Sequence, residues 1–342
     1  MTVDRVLLAS PRGFCAGVEK AIKALDWMTK VFEAPVYCYH EIVHNAYVVD
    51  HFRALGVVFI DDINDAPPGA PIMLSAHGSP PSVIASAKAN GGTVVDAVCP
   101  LVTKVHHELK VRSRKGYTVL YVGHEGHEEA VGTMAVAPES VHLIQNTDDI
   151  DEVATREGPF ALLSQTTLSL DEWQHLRDYA IEKIPDLWLP NRSDLCFATT
   201  NRQAALREIS GAADAVVVIG SANSSNTVAL TKVAEATGTP RVFRVNAADE
   251  LPGDLEGLIA VTAGASAPES LVNEVLERLN PVDGVHVNPV TIEDEYFPPP
   301  PELREILRAL EVVISSALTG EIKDGDVTAR DRDSGAADVL AQ

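Results

Sequence analysis

Three cysteines recur along the chain where an apolar run gives way to a helical pattern. Cys15, Cys99 and Cys196 are separated by 84 and 97 positions. They lie in the segments LLASPRGFCAGV, VVDAVCPLVTKV and LCFATTNRQAALRE. Each thiol is therefore predicted at or near a helix N-terminus, where the helix dipole favours the thiolate. The spacing predicts three similar α/β units that each contribute one thiolate.

Short runs of Val, Ile and Leu alternate with helical patterns along most of the chain. This alternation is typical of parallel sheets with crossover helices. The predicted strands are 5–9, 35–39, 57–60, 72–75, 117–122, 141–144, 161–164, 215–219, 242–245 and 258–262. The fold class predicted is α/β, with mainly parallel sheets in three units.

The cysteine spacing and a change in composition near the C-terminus set the predicted boundaries. The predicted division is 1–97, 98–194 and 195–285 for the three α/β units, 286–320 for a C-terminal docking arm and 321–342 for a disordered acidic tail. Disorder is predicted for the tail because it is polar and has little apolar surface to bury. No function is assigned to it.

Composition excludes several classes of protein. The 342 residues carry 49 acidic and 27 basic side chains, a formal net charge of −22, which argues against nucleic-acid binding. The longest apolar runs, such as 215–219, fall far short of the about 20 residues that span a bilayer. Residues 1–12 lack the features of a signal peptide. With only four cysteines, the chain is expected in the reducing cytoplasm, without a membrane partner.

Three converging thiolates are a ligand set for a soft metal. A 4Fe–4S cluster takes four thiolates when fully ligated, so three cysteines suit one cluster with one iron open to substrate. Two alternatives remain at this point. The cysteines could be unrelated and buried, or they could hold zinc, although the short ligand spacings typical of structural zinc sites are missing.

Polar residues cluster where the predicted strands end. The strand ends read SPRGFC, SAHGS, VGHEGHEE, SQTT, GSANSSNT and TAGASAP. Ligands of open α/β sheets bind beyond the carboxyl ends of the strands, so these segments predict one oxyanion site. Each segment also has an ordinary structural interpretation: a helix cap at Ser224, Ser225 and Asn226, a turn at Thr166, structural histidines at His44 and His77, or a solvated loop around His127.

The chain shows neither the lysine-containing phosphate loop nor the GxGxxG fingerprint. It therefore has no nicotinamide or flavin motif of its own. If a cluster is redox active, its electrons must come from a separate protein, and a small ferredoxin or flavodoxin is the expected donor.

Nine ordered motifs over about 260 residues resemble the LytB or IspH family, whose members are 4-hydroxy-3-methylbut-2-enyl diphosphate reductases. The motifs are PRGFCAGV, HEIVHN, SAHG, DAVCPLVTKVH, GHEGHEEAVGT, SQTTLS, DLCFATTNRQ, GSANSSNT and TAGASAP. The resemblance implies reductive removal of the allylic hydroxyl group, which gives isopentenyl and dimethylallyl diphosphate in the last step of the methylerythritol phosphate route. It also implies a pseudo-threefold trefoil of α/β units around a central iron–sulfur cavity.

The resemblance also implies roles for individual residues. Cys15, Cys99 and Cys196 correspond to the ligands of one 4Fe–4S cluster. The residues that correspond to the diphosphate clamp are His44, His77, Ser224, Ser225, Asn226 and Ser266. His127 matches an active-site histidine, and Glu129 with Thr166 matches the pair that delivers protons to the substrate; His127 and Thr166 are expected to contact substrate as well.

Two positions depart from the family pattern. The family usually has proline where this chain has Glu128, and we favour Glu129 over Glu128 as the inward carboxyl on register. Cys38 matches no ligand position and is predicted to be a buried strand residue. Two other functions would use the same cysteines: an open-iron 4Fe–4S hydro-lyase, which would turn over without reductant, and a non-enzymatic iron–sulfur sensor.

Overall fold

The computed structural model describes residues 1–319 and 331–341, with side chains given through residue 313 and again from residue 331. The strands are β1 Thr2–Ser10, β2 Val36–Tyr39, β3 Val57–Ile60, β4 Ile72–Leu74, β5 Val94–Asp96, β6 Thr118–Val122, β7 Val141–Ile144, β8 Phe160–Ser164, β9 Ala215–Ile219, β10 Val242–Val245, β11 Glu256–Ala263 and β12 Val285–Pro289. In the described ranges, no helix is long and apolar enough to cross a bilayer.

Helices connect these strands. They are α1 Ala16–Val31, α2 Ala46–Ala54, α3 Pro81–Ala89, α4 Pro100–Arg114, α5 Glu128–Met134, α6 Thr147–Ala154, α7 Leu170–Lys183, α8 Phe197–Ser210, α9 Ser225–Ala236, α10 Glu269–Leu279, α11 Pro301–Thr319 and α12 Ala336–Leu340, with short 3-10 turns at Ile63–Asp65 and Ala248–Glu250. The chain divides into two compact bodies. The first body comprises Met1–Cys15, His44–Ala46 and Leu101–Asp294, and the second comprises Ala16–Val43, Tyr47–Pro100 and Glu295–Gln342.

The first body contains a five-stranded parallel sheet in the order β10-β9-β11-β1-β12. All five residues of β9, AVVVI, are buried, as expected for a strand with both faces covered. Residues of α8 and α9, such as Leu206 and Leu230, pack on one face of the sheet, and α10 residues such as Val272 pack on the other. Crossover helices on both faces bring the carboxyl ends of the parallel strands to one edge.

A second sheet of the first body has three parallel strands in the order β7-β6-β8. Helices α6 and α7 cover one face, where Ile150 and Trp173 are buried, and α4 and α5 cover the other with Leu109 and Ala130. Thr166 and the HEGHEE loop follow β8 and β6, so they lie at the carboxyl ends of adjacent strands.

The second body contains a four-stranded parallel sheet in the order β3-β2-β4-β5. Cys38 lies in β2 and is 0% exposed, which confirms the prediction that it is a buried strand residue. Its side chain is enclosed in the core of this body, whereas the other three cysteines are only half-buried.

The chain end also belongs to the second body. Lys23 of α1 forms an ion pair with Asp331 (Nζ to Oδ2 2.9 Å), and the two side chains are 7% and 3% exposed. The Tyr296 hydroxyl donates to the same carboxylate, and the backbone N–H of Ala336 in α12 donates to Glu19 of α1. A charge this deeply buried requires a partner, so residues 331–341 are anchored to α1.

The α/β class with parallel sheets is confirmed, and all ten predicted strands are present within three residues of their predicted ends. Two strands were missed, β5 and β12. Strand β1, which the sequence analysis assigned to the first α/β unit, pairs with β11 and β12 from beyond residue 255. The three-unit division and the trefoil arrangement remain predictions.

Part of the tail that was predicted to be disordered, 321–342, has a defined structure. Residues 331–341 are ordered on α1 because Asp331 pairs there with the buried Lys23 and Ala336 donates to the half-buried Glu19. Residues 320–330 lie outside the described residues. The docking arm predicted over 286–320 begins with most of β12, which extends the five-stranded sheet, and continues into α11.

Candidate active site

One carboxyl group of the first body is buried at the start of α5. Glu129 is 2% exposed, and its two carboxylate oxygens accept hydrogen bonds from Thr166, which follows β8. The Thr166 backbone N–H donates to Oε1 (2.7 Å) and the Thr166 hydroxyl donates to Oε2 (2.9 Å). The neighbouring Glu128 is half-buried, with its Oε2 enclosed.

Burial raises the pKa of Glu129 to about 7, from an ordinary value of 4.5. Loss of hydration penalises the ionised carboxylate, and this effect outweighs the two Thr166 hydrogen bonds, which favour the ionised form. Folding therefore favours the protonated acid. The contribution of this group to the free energy of unfolding is largest at low pH and is lost as pH rises through about 7.

His127 is positioned by the same helix. It is the N-cap residue of α5, and its Nδ1 accepts a hydrogen bond from the Glu129 backbone N–H (3.1 Å). Because Nδ1 is the acceptor, the neutral ring carries its proton on Nε2. The His44 ring lies edge-on to the His127 ring, with the centroids 5.5 Å apart. Both histidines therefore belong to one cluster with Glu129.

Hydroxyl groups join that cluster to the start of α9. Ser224 is the N-cap of α9, and its hydroxyl accepts from the Thr227 backbone N–H (3.4 Å). The Ser266 hydroxyl donates to the His44 backbone carbonyl (2.9 Å) and lies 3.5 Å from the Ser224 hydroxyl. Ser224 and Ser266 therefore lie at the N-terminal end of a 12-residue helix, where backbone N–H groups and the helix dipole favour an anion.

Two glycines allow this close approach. A Cβ atom on Gly220 would lie 2.4 Å from the Thr227 hydroxyl oxygen, and one on Gly264 would lie 2.2 Å from the same atom. Gly220 also has a φ of 146°, which side-chain-bearing residues rarely adopt. The ends of β9 and β11 therefore contact the first turn of α9, which explains the glycines in GSANSSNT and TAGASAP.

Two of the three predicted ligand cysteines lie in the first body, and both are tied to the cluster by their backbone. The Cys196 N–H donates to the Thr166 carbonyl (2.9 Å), and the Cys15 N–H donates to the Ala265 carbonyl (3.3 Å). The Ala265 N–H in turn donates to Oδ1 of the buried Asn226 (2.9 Å). Cys196 is the N-cap residue of α8, and its thiol makes no capping bond.

Cys99 and His77 lie in the second body. The Cys99 N–H donates to the carbonyl of Ala76, so the cysteine is tied to the neighbour of His77 (3.0 Å). The buried Lys20 ammonium donates to the Val98 carbonyl beside Cys99 (2.8 Å), and burial lowers the pKa of Lys20 while the nearby Cys99 opposes that change. A cation beside a thiol favours the thiolate.

The thiol set fits an iron–sulfur group. The four cysteines, all within the described residues, form no disulfide. Cys15, Cys99 and Cys196 are half-buried at the starts of helices, whereas Cys38 is enclosed in a strand. Thiolate is the form of cysteine that binds iron.

Comparison with known proteins identifies the family. The family model described as "LytB protein" matches residues 6–280.

The chain belongs to the LytB family.

Three curated relatives match between 83% and 90% of the chain. A protein from Mycobacterium sp. (strain JLS) is 45% identical over 306 residues, 88% of this chain and 92% of its own length. One from Nocardia farcinica is 45% identical over 313 residues, 90% and 93% of the two chains. One from Methylibium petroleiphilum is 44% identical over 288 residues, 83% and 88% of the two chains. All three are named 4-hydroxy-3-methylbut-2-enyl diphosphate reductase.

Solved structures agree with this assignment. The Plasmodium falciparum E-1-hydroxy-2-methyl-but-2-enyl-4-diphosphate reductase superposes with a TM-score of 0.85 at 30% identity, covering 91% of this chain and all of that one. A second structure, described as (E)-4-hydroxy-3-methyl-but-2-enyl diphosphate reductase, the terminal enzyme of the non-mevalonate pathway, has a TM-score of 0.60 at 26% identity and covers 81% and 99% of the two chains.

Arg202 of this LytB protein joins the two cysteine segments of the first body, and the sequence patterns did not predict this role. Arg202 of α8 is 0% exposed, and its guanidinium donates to the carbonyls of Gly13 (2.7 and 2.9 Å) and Phe14 (2.9 Å). Glu293 accepts two further bonds from the Arg202 Nη1 (3.0 Å each). The Cys15 turn is thereby held to the helix that begins after Cys196. The only signal in the sequence is the TTNRQ run, in which a lone arginine interrupts an otherwise uncharged helix start.

Gln165 is a second residue that the sequence analysis missed. It is 0% exposed, its Nε2 donates to the Ser225 hydroxyl and the Thr167 hydroxyl (3.0 Å each), and its Oε1 accepts from the His124 N–H (3.0 Å). Ser225, predicted in the diphosphate clamp, is therefore oriented by the strand end that also carries Thr166. Such a role is not visible in a pattern of single residues.

Replacing Arg202 is expected to destabilise the fold of the metal-free protein. Arg202→Lys removes the planar fork that serves two carbonyls and a carboxylate at once, and breaking a buried ion pair costs about 3 to 5 kcal/mol. Differential scanning calorimetry of the metal-free protein should show a marked drop in Tm. Arg207→Lys on the same helix, whose ion pair with Asp171 is exposed, should cost less than about 1 kcal/mol. Equal Tm values for the two variants would contradict a special role for Arg202.

Proposed function

We propose that this chain reduces 4-hydroxy-3-methylbut-2-enyl diphosphate to isopentenyl and dimethylallyl diphosphate, the last step of the methylerythritol phosphate route. The observation that carries the proposal is LytB membership over residues 6–280 together with the buried carboxyl of Glu129 held by Thr166. In this reaction the allylic C–O bond breaks and a C–H bond forms. Two electrons and two protons are consumed, and the oxygen leaves as water.

Cys15, Cys99 and Cys196 would hold one 4Fe–4S cluster as its three protein ligands. The half-buried thiols at helix starts, supported by the Lys20 ammonium near Cys99, are suited to that role. When bound, such a cluster supplies the reducing electrons and a Lewis-acidic iron for the hydroxyl group of the substrate. The chain itself binds, orients and protonates that substrate.

The diphosphate of the substrate would be held by His44, His77, Ser224, Ser225, Asn226 and Ser266. In the first body, Ser224 and Ser266 already lie 3.5 Å apart at the N-terminus of α9, and His44 is joined to Ser266 by a hydrogen bond. Hydroxyls, amides and a helix N-terminus give local donors to a polyanion in a chain whose net charge is −22. This set explains how an acidic protein binds a diphosphate.

Glu129 would act as the proton donor and Thr166 as its relay. The raised pKa, about 7, keeps a substantial fraction of Glu129 protonated near neutral pH. A hydroxyl group both accepts and donates, so the proton of Glu129 Oε2 can pass to Thr166 Oγ1 while Thr166 passes its own proton to the leaving hydroxyl group. His127, with its proton on Nε2, would donate to the bound substrate from the same cluster.

Electrons would come from a ferredoxin or flavodoxin. The sequence has no nicotinamide or flavin fingerprint that would make the chain its own electron source. The donor must therefore dock on this protein and deliver single electrons to the cluster.

Removing any of the three ligand thiols is expected to remove the cluster. Cys15→Ala, Cys99→Ala and Cys196→Ala should each bind markedly less iron and sulfide after anaerobic purification, because an alanine cannot ligate iron. Cys38→Ala is the matched control and should keep its iron, since Cys38 is buried in β2. Iron and sulfide assays measure the result. Loss of iron in the Cys38→Ala protein alone would overturn the ligand assignment.

Glu129→Gln is expected to keep the cluster and bind substrate but lose turnover. Glutamine retains the shape and the bond from the Thr166 N–H but has no proton to give, so kcat should fall about 100-fold to 10,000-fold with a chemical reductant. In the wild-type enzyme, kcat should decrease as pH rises through about 7, because the ionised Glu129 cannot donate.

Glu128→Gln is the control for that experiment. Both Thr166 hydrogen bonds go to Glu129, so Glu128→Gln should retain kcat within about tenfold, below the range of general acid catalysis. If Glu128→Gln lost its kcat while Glu129→Gln retained it, the proton donor would be Glu128 and not Glu129. If the dependence of kcat on pH were the same in the wild type and in Glu129→Gln, the decrease of kcat near pH 7 would not be due to Glu129.

A further inference from the structure

A strongly basic helix stands out in this acidic protein. The segment 104–115 of α4 and its C-terminal end carries five of the 27 basic residues of the chain and one acidic residue, in a molecule whose net charge is −22. Lys110, Arg114 and Lys115 are exposed, and no described residue forms an ion pair with them. His107 is exposed on the same helix. An uncompensated positive surface of this kind attracts an acidic partner.

The acidic groups on this surface are already neutralised by partners. Lys104 forms an ion pair with Asp194 (Nζ to Oδ1 3.1 Å), whose side chain is 0% exposed. Glu108 pairs with Arg112 one helical turn away (3.5 Å). These two carboxylates therefore do not cancel the charges of Lys110 and Arg114, which remain available to a partner.

A cleft of about 390 Å³ adjoins the helix. Its walls include Lys104, Arg112, Trp188 and Arg192, and Arg192 is exposed. The Arg112 guanidinium stacks on the Trp188 ring at 3.7 Å from its centroid, which fixes the charged wall in place. Lys110, Arg114 and Lys115 lie outside the cleft on the same helix segment. We name these three residues and the basic residues of the cleft together the α4 basic surface: Lys104, Lys110, Arg112, Arg114, Lys115 and Arg192.

The α4 basic surface is built on the segments that carry the proposed cluster ligands. Helix α4 begins at Pro100, directly after Cys99, and the ion pair of Lys104 fixes Asp194, two residues before Cys196. The surface thus begins at Lys104, which is paired with the segment that leads to Cys196, and it extends from there along α4. A partner bound here would therefore sit close to the cluster, as electron transfer requires.

We propose that the α4 basic surface is the docking site of the acidic redox protein that supplies electrons to this enzyme. The proposal rests on the proposed function. The negative charge over the rest of the chain repels such a partner elsewhere, so the α4 basic surface both attracts and orients it. Docking of this kind is strongest at low ionic strength, because charges in solvent are screened by salt.

A nucleic acid fits this surface less well. A duplex carries one negative charge per about 1.7 Å along its axis and would extend beyond a helix of 15 residues, in a protein whose net charge is −22. Trp188, the aromatic residue that could stack on a base, is already covered by Arg112. A compact acidic protein makes a smaller footprint and matches the local charge.

The test reverses two charges that serve only the docking surface. Lys110→Glu/Arg114→Glu is compared with Lys88→Glu/Arg278→Glu, which makes the same change in net charge at exposed positions of α3 and α10. Anaerobic turnover is measured with a purified acidic [2Fe–2S] ferredoxin as donor and, separately, with dithionite. The docking variant should raise the ferredoxin KM about tenfold or more at low salt, with unchanged dithionite turnover. The control variant should stay within about twofold of wild type on both donors.

Several results would overturn the docking site. An unchanged ferredoxin KM in the α4 variant, or an equal rise in the control variant, would contradict it. Calorimetric titration of the wild-type protein with ferredoxin adds a readout that does not need turnover, and binding that is lost in the α4 variant alone supports the site. Binding of a single-stranded oligonucleotide in place of ferredoxin would assign the surface to nucleic acid. Failure of wild type to turn over with dithionite would instead refute the proposed function.

Discussion

The buried guanidinium of Arg202 is the contact on which the site of the first body depends. It donates to the carbonyls of Gly13 and Phe14 next to Cys15 and pairs with Glu293, while its own helix begins after Cys196. A buried arginine is stable only when all of these acceptors stay in place. The positions of two cysteines that are 181 residues apart in the chain therefore depend on one another.

The local electrostatics differ from the overall charge of the chain at each proposed functional position. A net charge of −22 would repel a diphosphate, yet α9 presents its N-terminus with Ser224 and Ser266 beside it. The same charge would repel an acidic donor, yet α4 presents Lys110 and Arg114. At Glu129, burial reverses the ordinary preference of a carboxyl for its ionised form. The proposed function depends on these local departures from the overall charge.

Sequence patterns predict secondary structure that depends on neighbouring residues. They do not predict structure that depends on contacts between residues far apart in the chain. The run AVVVI predicts β9 residue for residue, because a fully buried parallel strand has that composition. VHVNP does not predict β12, because this exposed strand is ordered by pairing with β1. Asp331 belongs to a polar segment typical of disorder, but its partner Lys23 lies 308 residues earlier. The motifs predicted the cluster of Glu129, Thr166 and His127, whereas Arg202 and Gln165 act through backbone contacts that no motif encodes.

The central claim is that three cysteines hold a redox cluster beside a buried acid. Its most direct test is iron and sulfide analysis of the anaerobically purified wild-type protein, combined with EPR spectra before and after one-electron reduction. The account predicts about four iron and four sulfide per chain and a reduced spectrum that changes when 4-hydroxy-3-methylbut-2-enyl diphosphate is added. Zinc in place of iron, or a cluster whose spectrum does not respond to that diphosphate, would contradict it.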